Sequence, residues 1–320
     1  MLKDRMIAFA GIFGKRYSKK QKIRFLRYIQ SSAQEKGVKM YLDEGEASGK
    51  SGCNVYLGPT QRAKTILAVP YDTPSRLWWP GFHYYPMDPE RNARQESLVM
   101  ALNFALAAVL LAAYWFAVFR RCFSAGGPIG GLALFGLLLV ALLAVNLVLG
   151  SANAKNYSRN SASLALALEI FDGLQDGSVA VALLDNACAG LDGYARLAEY
   201  LGGRARQTNV VILDCVMSGS ELHGHCTKER IEALAARNGD IQWHEAASEG
   251  NAVLSLFPRG MVITGGSWIG DATVVKGTRS GRDDELNMER MERGLVTLRQ
   301  KNDRLLPAGR LLLGHLHRKH

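Results

Sequence analysis

Asp72, Asp185 and Asp214 are the residues best suited to chemistry. Each follows a short apolar run and has a polar or thiol neighbour: Pro70-Tyr71-Asp72-Thr73, Asp185-Asn186-Ala187-Cys188 and Asp214-Cys215. Carboxylates brought together can do acid–base work, and a carboxylate with a thiolate can hold zinc. A second constellation is Leu222-His223-Gly224-His225-Cys226. On a strand, His223 and His225 would share one face, a geometry zinc can use, although no third ligand follows nearby. His223 and His225 are therefore metal-ligand candidates. The competing reading of the histidines is an outer, surface strand that binds nothing. His315, His317 and His320 lie in LGHLHRKH, a basic terminus expected to be floppy. Ser218-Gly219-Ser220 and Gly265-Gly266-Ser267 are small-residue turns without the spacing of a P-loop or a GxSxG elbow.

The elements that must position these residues read as an alternating α/β chain. Ser18 can cap a helix that runs to about Lys36 and closes at Gly37, with Ile23, Leu26, Ile29 and Ala33 as its apolar stripe. Strands are expected over 38–42, 54–57, 65–69, 179–184, 210–213 and 253–257. Helices are expected over 161–174, 190–201, 227–237 and 288–305. TILAV and VAVALL are continuous apolar runs of the kind found in buried central strands. The alternation predicts a mostly parallel central sheet with helices on both faces. In such sheets sites form at the carboxyl ends of the strands, where the three aspartates fall.

Two long uncharged runs interrupt this pattern, Leu98 to Phe119 and Leu132 to Leu149. Each is long enough to cross a bilayer core, and neither shows the polar stripe of a core helix. A short segment rich in glycine joins them, so an antiparallel transmembrane hairpin is expected. Asn103 and Asn146 fall at similar depth and are expected to hydrogen-bond across it. Arg120 and Arg121 lie in the turn, against Arg91, Arg94, Lys155 and Arg159 on the flanks. That balance puts the flanks, and the large domain, in the cytoplasm of a multi-pass protein of the cell membrane. No signal-peptide pattern is expected at the N-terminus. The expected organisation is residues 1–97 and 150–320 as two parts of one α/β domain, with 98–149 as the hairpin. The aromatic segment Trp78, Trp79, Phe82, His83, Tyr84, Tyr85 should pack near the membrane surface.

The chain has 320 residues and a formal charge of +10. About 270 residues outside the hairpin suffice for one large domain. A basic balance fits nucleic acid or anionic lipid, and the hairpin favours lipid. The bilayer is thus an expected partner and nucleic acid is not. Lys15, Arg16, Lys19, Lys20, Lys22, Arg24 and Arg27 form a basic cluster that fits either a lipid surface or a plain solvated face. The five cysteines are widely spaced and contain no CxxC pair, as expected of reduced thiols.

The strand-end segments, in their order, resemble the zinc aminopeptidases of the bacterial leucyl aminopeptidase and glutamate carboxypeptidase II type, a fold shared with glutaminyl cyclase and the transferrin receptor ectodomain. The resemblance implies His-x-Asp-Ser/Thr after the first strand. Here Asp72 and Thr73 match and Pro70 stands at the zinc-binding His. It implies Asn-Asp-Asn-Ala-Ser-Gly opening a helix, where Ser158 to Ser163 places Arg159 at the metal-bridging Asp. It implies Glu-Glu-x-Gly-Leu-x-Gly, where Ala187 replaces the general base, Cys188 replaces a ligand, and Gly190-Leu191-Asp192-Gly193 keeps the frame. Asp214 matches the next ligand. The last, a His before the final helix, aligns with Gly277-Thr278. The vestigial positions are therefore Pro70, Asp72, Arg159, Ala187, Cys188, Asp214 and Gly277. A cation at a metal-bridging position opposes metal binding, and Arg159 is expected to pair directly with Asp72 or Asp214. The first reading is a membrane-anchored, non-catalytic binding or scaffold module with no cofactor, engaging a protein or peptide whose identity the sequence does not give. The alternatives are an active metallo-aminopeptidase with rearranged ligands and zinc, and a module that binds lipid or another membrane protein.

Overall fold

The computed structural model describes residues 2–47, 50–77, 79, 81–174, 177–188, 190–236, 240–246, 252–279, 283 and 292. The expected helix over 288–305 and the histidine-containing tail lie outside these residues, as does Trp78.

The chain begins with helix α1 (Leu2–Met6), a π turn over Ile7–Ile12, and α2 (Lys19–Glu35). Ser18 caps α2 through a capping box with Gln21, which satisfies backbone donors at both ends of the box. The face that α2 buries is Phe25, Ile29 and Ala33, while Ile23 is exposed, one position off the expected stripe. Strands β1 (Met40–Ala47), β2 (Lys50–Leu57), β3 (Thr65–Pro70), β4 (Ser75–Arg76) and β5 (His83–Tyr84) follow. Next come α3 (Pro89–Tyr114), α4 (Arg120–Ser124), α5 (Gly127–Leu149), β6 (Ser151–Ala152) and α6 (Ala162–Gly173). The chain continues through β7 (Val179–Leu184), α7 (Asp192–Leu201), β8 (Asn209–Gly219), β9 (Glu221–Cys226) and α8 (Lys228–Ala235). It ends, among the described elements, with β10 (Ile241–Glu245), α9 (Ala252–Leu256), β11 (Met261–Ile269) and β12 (Ala272–Lys276). The segment expected as a strand at 253–257 is thus helical: α9 packs Leu254, with Phe257 just beyond its end, into the core beside Leu197 of α7.

The main sheet runs β1-β2-β7-β3-β8-β11-β12-β5, with β9 also beside β11 and β10 beyond β9. Its centre, β7-β3-β8-β11, is parallel. Both flanks join it antiparallel, with β10 parallel to β9 beyond, so the expected mostly parallel sheet is a mixed one. Every residue of β3 and β7 is buried, as parallel strands covered on both faces require. One face packs under α1, α2 and α6, the other under α7 and α9. Strand β9 lies between β10 and β11 rather than at the edge. His223 and His225 are therefore buried, which corrects the surface-strand expectation.

Two helices are long and apolar enough to cross a membrane, Pro89–Ser124 and Gly127–Leu149. They pack against each other, and their outer faces expose Leu102, Phe104, Val109, Leu134, Leu138 and Leu142. Tyr114 Oη donates to the Ala133 carbonyl at 3.0 Å. Gly136 makes the room: a Cβ there would lie 2.0 Å from Tyr114 Oη. The expected Asn103–Asn146 bond is not formed. Asn103 Oδ1 instead accepts from Trp79 Nε1 at 2.8 Å, because Asn103 faces the aromatic segment of the α/β domain.

Candidate functional site

The carboxyl ends of β3, β7 and β8 converge, as their neighbouring positions in the sheet require. Pro70 is the last residue of β3, paired with Leu184. Its side chain offers no donor atom. Asp72 is buried, and its Oδ1 accepts the amide hydrogens of Ala187 and Cys188 at 3.2 and 3.1 Å. It thereby ties the segment after β7 to the end of β3. Burial pushes the Asp72 carboxyl up, against the opposing pull of Lys22. Lys22 also pairs with Asp185, whose Oδ1 in turn accepts from the Asn186 amide at 2.9 Å.

The Gly190-Leu191-Asp192-Gly193 frame has a steric reason here. A Cβ on Gly193 would lie 2.3 Å from the Asp185 carbonyl and 3.1 Å from the Leu184 side chain. Only glycine lets the first turn of α7 sit against the end of β7. Ala187 and Cys188 are buried beneath it. Burial, reinforced by Asp72, pushes the Cys188 thiol well above its ordinary pKa, the opposite of what a reactive thiolate needs.

Arg159 sits in the turn Tyr157–Ser161 that opens α6 and is 1% exposed. Its guanidinium donates to the Cys188 carbonyl and to Thr278 Oγ1, the latter at 3.3 Å. It also lies 3.8 Å from the centre of the Tyr84 ring. Tyr84 Oη donates to Asp214 Oδ2 at 2.6 Å. The Ser158 and Arg159 amides donate to the Asp283 carboxylate at 2.8 and 3.3 Å. Among the described residues no ion pair within 4.0 Å joins Arg159 to Asp72 or Asp214, which corrects the expected direct pair. The Tyr84 ring stands between the cation and Asp214, its face toward the guanidinium and its hydroxyl toward the carboxylate. Burial works against the charge of Arg159, but Tyr84, Cys215 and Asp214 outweigh it and raise its pKa. Burial and Asp214 likewise push the Tyr84 phenol well up.

Backbone strain marks the same place. Asn186 and Cys215, immediately after two of the strand-end aspartates, hold φ of 52° and 53°. Asparagine tolerates that region, whereas a cysteine rarely adopts it. Beside Cys215, Gly265 is obligatory: a Cβ would lie 2.4 Å from the Ser218 carbonyl and 2.8 Å from that of Cys215.

Of the positions singled out from the sequence, the structure joins Asp72 directly to Ala187 and Cys188, and Arg159 to Cys188 and Asp214 through its contacts. Pro70 ends the strand beside them. Gly277, in a left-handed conformation with φ of 77°, precedes the Thr278 that reaches Arg159. His223 and His225 belong to a different cluster. His223 Nδ1 lies 3.0 Å from His244 Nε2, His225 Nε2 lies 3.0 Å from Thr273 Oγ1, and His244 stacks on Trp268 at 3.8 Å. His244 was the missed member, because it arrives from β10 through strand pairing. Tyr84, Thr278 and Asp283 were also unforeseen as site residues. Tyr84 was expected at the membrane surface with its aromatic neighbours, but β5 pairs with β12 and carries it inward. Only an aromatic run next to a strand end could have pointed to it. Arg16 leaves the basic cluster altogether: it is fully buried and donates to the carbonyls of Tyr71 and Phe9 at 2.6 and 2.7 Å.

The sheet order and the convergence of these strand ends define the architecture. It is the zinc aminopeptidase-like fold. A Zn-dependent exopeptidase from Parabacteroides distasonis superposes with a TM-score of 0.55 at 11% identity, covering 95% of this chain and 98% of that one. Tannerella forsythia glutaminyl cyclase gives 0.56 at 11% identity, covering 96% and 98%. LapB from Legionella pneumophila gives 0.53 at 10% identity, covering 96% and 72%. No protein-family model and no curated protein matches the sequence. The likeness is therefore one of fold.

A zinc ion, on which the exopeptidase just named depends, needs about three protein ligands and an open position. The donor set here does not fit one. Pro70 and Ala187 carry no donor, Arg159 is a cation, and Asp72 and Asp214 are engaged by backbone amides and Tyr84. Among the described residues no group of three His, Cys, Asp or Glu side chains is arranged to hold a metal ion. The space left between Tyr84, Tyr194, Cys188 and Asp214 is a cavity of about 110 Å³. A larger one, about 440 Å³, opens between the strand ends and the base of the long helices.

Proposed function

We propose that this protein is a membrane-anchored, non-catalytic member of the zinc aminopeptidase-like fold that serves as a binding module at the bilayer. The observation that carries the reading is Arg159: a buried guanidinium, hydrogen-bonded to Cys188 and Thr278 and stacked on Tyr84, at the position that the sequence resemblance aligns with a metal-bridging carboxylate. A fixed cation there repels a metal. Acid–base hydrolysis would need a group that takes a proton from water, and the side chain of Ala187 cannot.

Residues 98–149 are read as a transmembrane hairpin inserted between the 1–97 and 150–320 parts of the domain, on the strength of two exposed apolar helices. Arg91, Arg94 and Lys155 against Arg120 and Arg121 favour a cytoplasmic domain. Arg159, buried in the α/β domain, no longer counts in that balance.

The ligand space is the cavity of about 440 Å³, within the usual range for small-molecule sites. One wall is polar, with Lys22, Asp72 and Arg279. The other is formed by Val99, Met100 and Val148 of the long helices. That division suits an amphipathic segment of a peptide or protein partner lying at the membrane surface.

Two measurements test the reading. Elemental analysis of the purified protein should find zinc far below one ion per chain, and aminoacyl substrates should not be hydrolysed. Stoichiometric zinc with hydrolysis abolished by Cys188→Ala or Asp214→Ala would instead establish an active enzyme with rearranged ligands. The chain should fractionate with membranes and lose that partition when residues 98–149 are deleted.

A further inference from the structure

The opposite end of the sheet carries a second polar site, built from the segments that enter β3, β8 and β11. They enclose a cavity of about 470 Å³, lined by Arg62, Lys64, Arg204, Arg230 and Arg259, with no carboxylate among its described lining residues. Three of these guanidinium groups are fixed, and each by neutral acceptors. Arg204 donates to the Thr60 and Ala63 carbonyls at 3.3 and 2.8 Å. Arg230 donates to the carbonyls of Arg259 and Gly260, the latter at 3.2 Å, and to Asn209 Oδ1 at 3.0 Å. Arg259 donates to the Gln207 carbonyl at 3.3 Å. Among the described residues no ion pair within 4.0 Å involves any of the five cations. Burial lowers the pKa of Arg230, and the like charge of Arg259 adds to it.

Thr208 supplies an independent sign. It lines the cavity, is 3% exposed, and among the described residues its Oγ1 has no hydrogen-bond partner. Buried hydroxyls are rarely left unpaired in a finished structure, because an orphaned polar group costs ~1–3 kcal/mol. A hydroxyl donor inside a ring of oriented, uncompensated guanidinium groups matches the oxygens of a tetrahedral anion.

We propose that this cavity binds a soluble phosphate-class anion, such as pyrophosphate or the phosphoryl group of a small molecule. A lipid headgroup would present the same chemistry. The cavity, however, lies at the amino ends of the parallel strands, whereas the long helices meet the domain at the carboxyl ends, beside Asp72 and Asn186. The bilayer that holds those helices is therefore at the far end of the sheet.

The test is calorimetric titration of the full-length protein, in neutral detergent, with inorganic pyrophosphate. One saturable site is expected, weakening steeply as salt rises from roughly 50 to roughly 500 mM. Arg62→Gln with Arg259→Gln, both on exposed side chains, should weaken binding by more than tenfold. Thr208→Val should weaken it by a smaller factor, and Lys19→Gln with Lys20→Gln should leave it unchanged. Vesicles of phosphatidylcholine with phosphatidic acid should not displace pyrophosphate from protein held in phosphatidylcholine nanodiscs. Absence of saturable binding, equal binding by the Arg62/Arg259 variant, or displacement by the anionic vesicles would overturn the proposal.

Discussion

Replacing Arg159 by methionine removes its charge while keeping much of its volume. Two groups lose a donor, the Cys188 carbonyl and Thr278 Oγ1, and the Tyr84 ring loses the cation on its face. A hydrogen bond from a charged group contributes ~1.5–3 kcal/mol net, and a desolvated cation–π contact ~2 kcal/mol. Simple addition overshoots, since the contacts share one desolvation cost. Loss of one partner from a buried charged network costs ~3–5 kcal/mol, and the methionine side chain recovers part of that by packing. We expect about 3 kcal/mol of destabilisation. In a domain of this size that lowers the melting temperature by about 6–12 °C, read by circular dichroism in neutral detergent at one fixed scan rate. The Tyr84→Leu variant should couple to it: the double substitution should cost less than the sum of the singles by about 1 kcal/mol or more. An Arg159→Met protein that melts with the parent, or strict additivity with Tyr84→Leu, would refute the claim that a stacked guanidinium organises the strand-end cleft.

Three further outcomes follow from the same geometry. His225 is 4% exposed, and burial, with His244 and His223 nearby, holds its pKa down at about 3. The unfolded chain, with an ordinary histidine pKa of about 6.5, binds more protons between those values, so stability is full above that ordinary value and falls as pH drops toward 3. The slope in that window is up to about 1.4 kcal/mol per pH unit, and His225→Asn should flatten the pH dependence of the denaturation midpoint. Cys188 and Cys215, buried and with thiols pushed well up, should resist iodoacetamide at mildly alkaline pH until the protein is unfolded, as mapped by mass spectrometry. Gly136→Val should separate the two long helices at Tyr114, costing ~1–3 kcal/mol of overpacking, and a cysteine pair placed across them should then cross-link more slowly.

Much of the scaffold is legible in the sequence. TILAV and VAVALL read as central strands, because short continuous apolar runs rich in β-branched residues suit strands covered on both faces. Ser18 marked the start of α2 by local capping chemistry, and the structure adds Gln21 to complete the box. The Gly190 to Gly193 frame was readable only through the family resemblance, and the structure supplies its reason: contact with the Asp185 carbonyl excludes a Cβ at Gly193. The strands from β9 onward were harder. Their side chains meet partners from β10, β11 and β12 rather than a uniform core, so no simple period marks them, and His244 joined His223 and His225 unannounced.

The sequence by itself puts Pro70, Arg159 and Ala187 where the family resemblance implies a ligand, a bridging carboxylate and a base. It also determined two uncharged runs of membrane-spanning length, since length and apolarity are properties of the chain alone. Only the tertiary structure decided what the buried charged residues do. Arg159 does not bond to either aspartate but reaches Asp214 through the ring and hydroxyl of Tyr84. Asp72 accepts the amide hydrogens of Ala187 and Cys188 and so ties two strand ends together. Arg16, one of several surface-like cations in the sequence, is fully buried against backbone carbonyls. The reason is common to all three. A charged side chain taken from water must find partners, and which partners lie within reach is set by strands and turns that are distant in the chain.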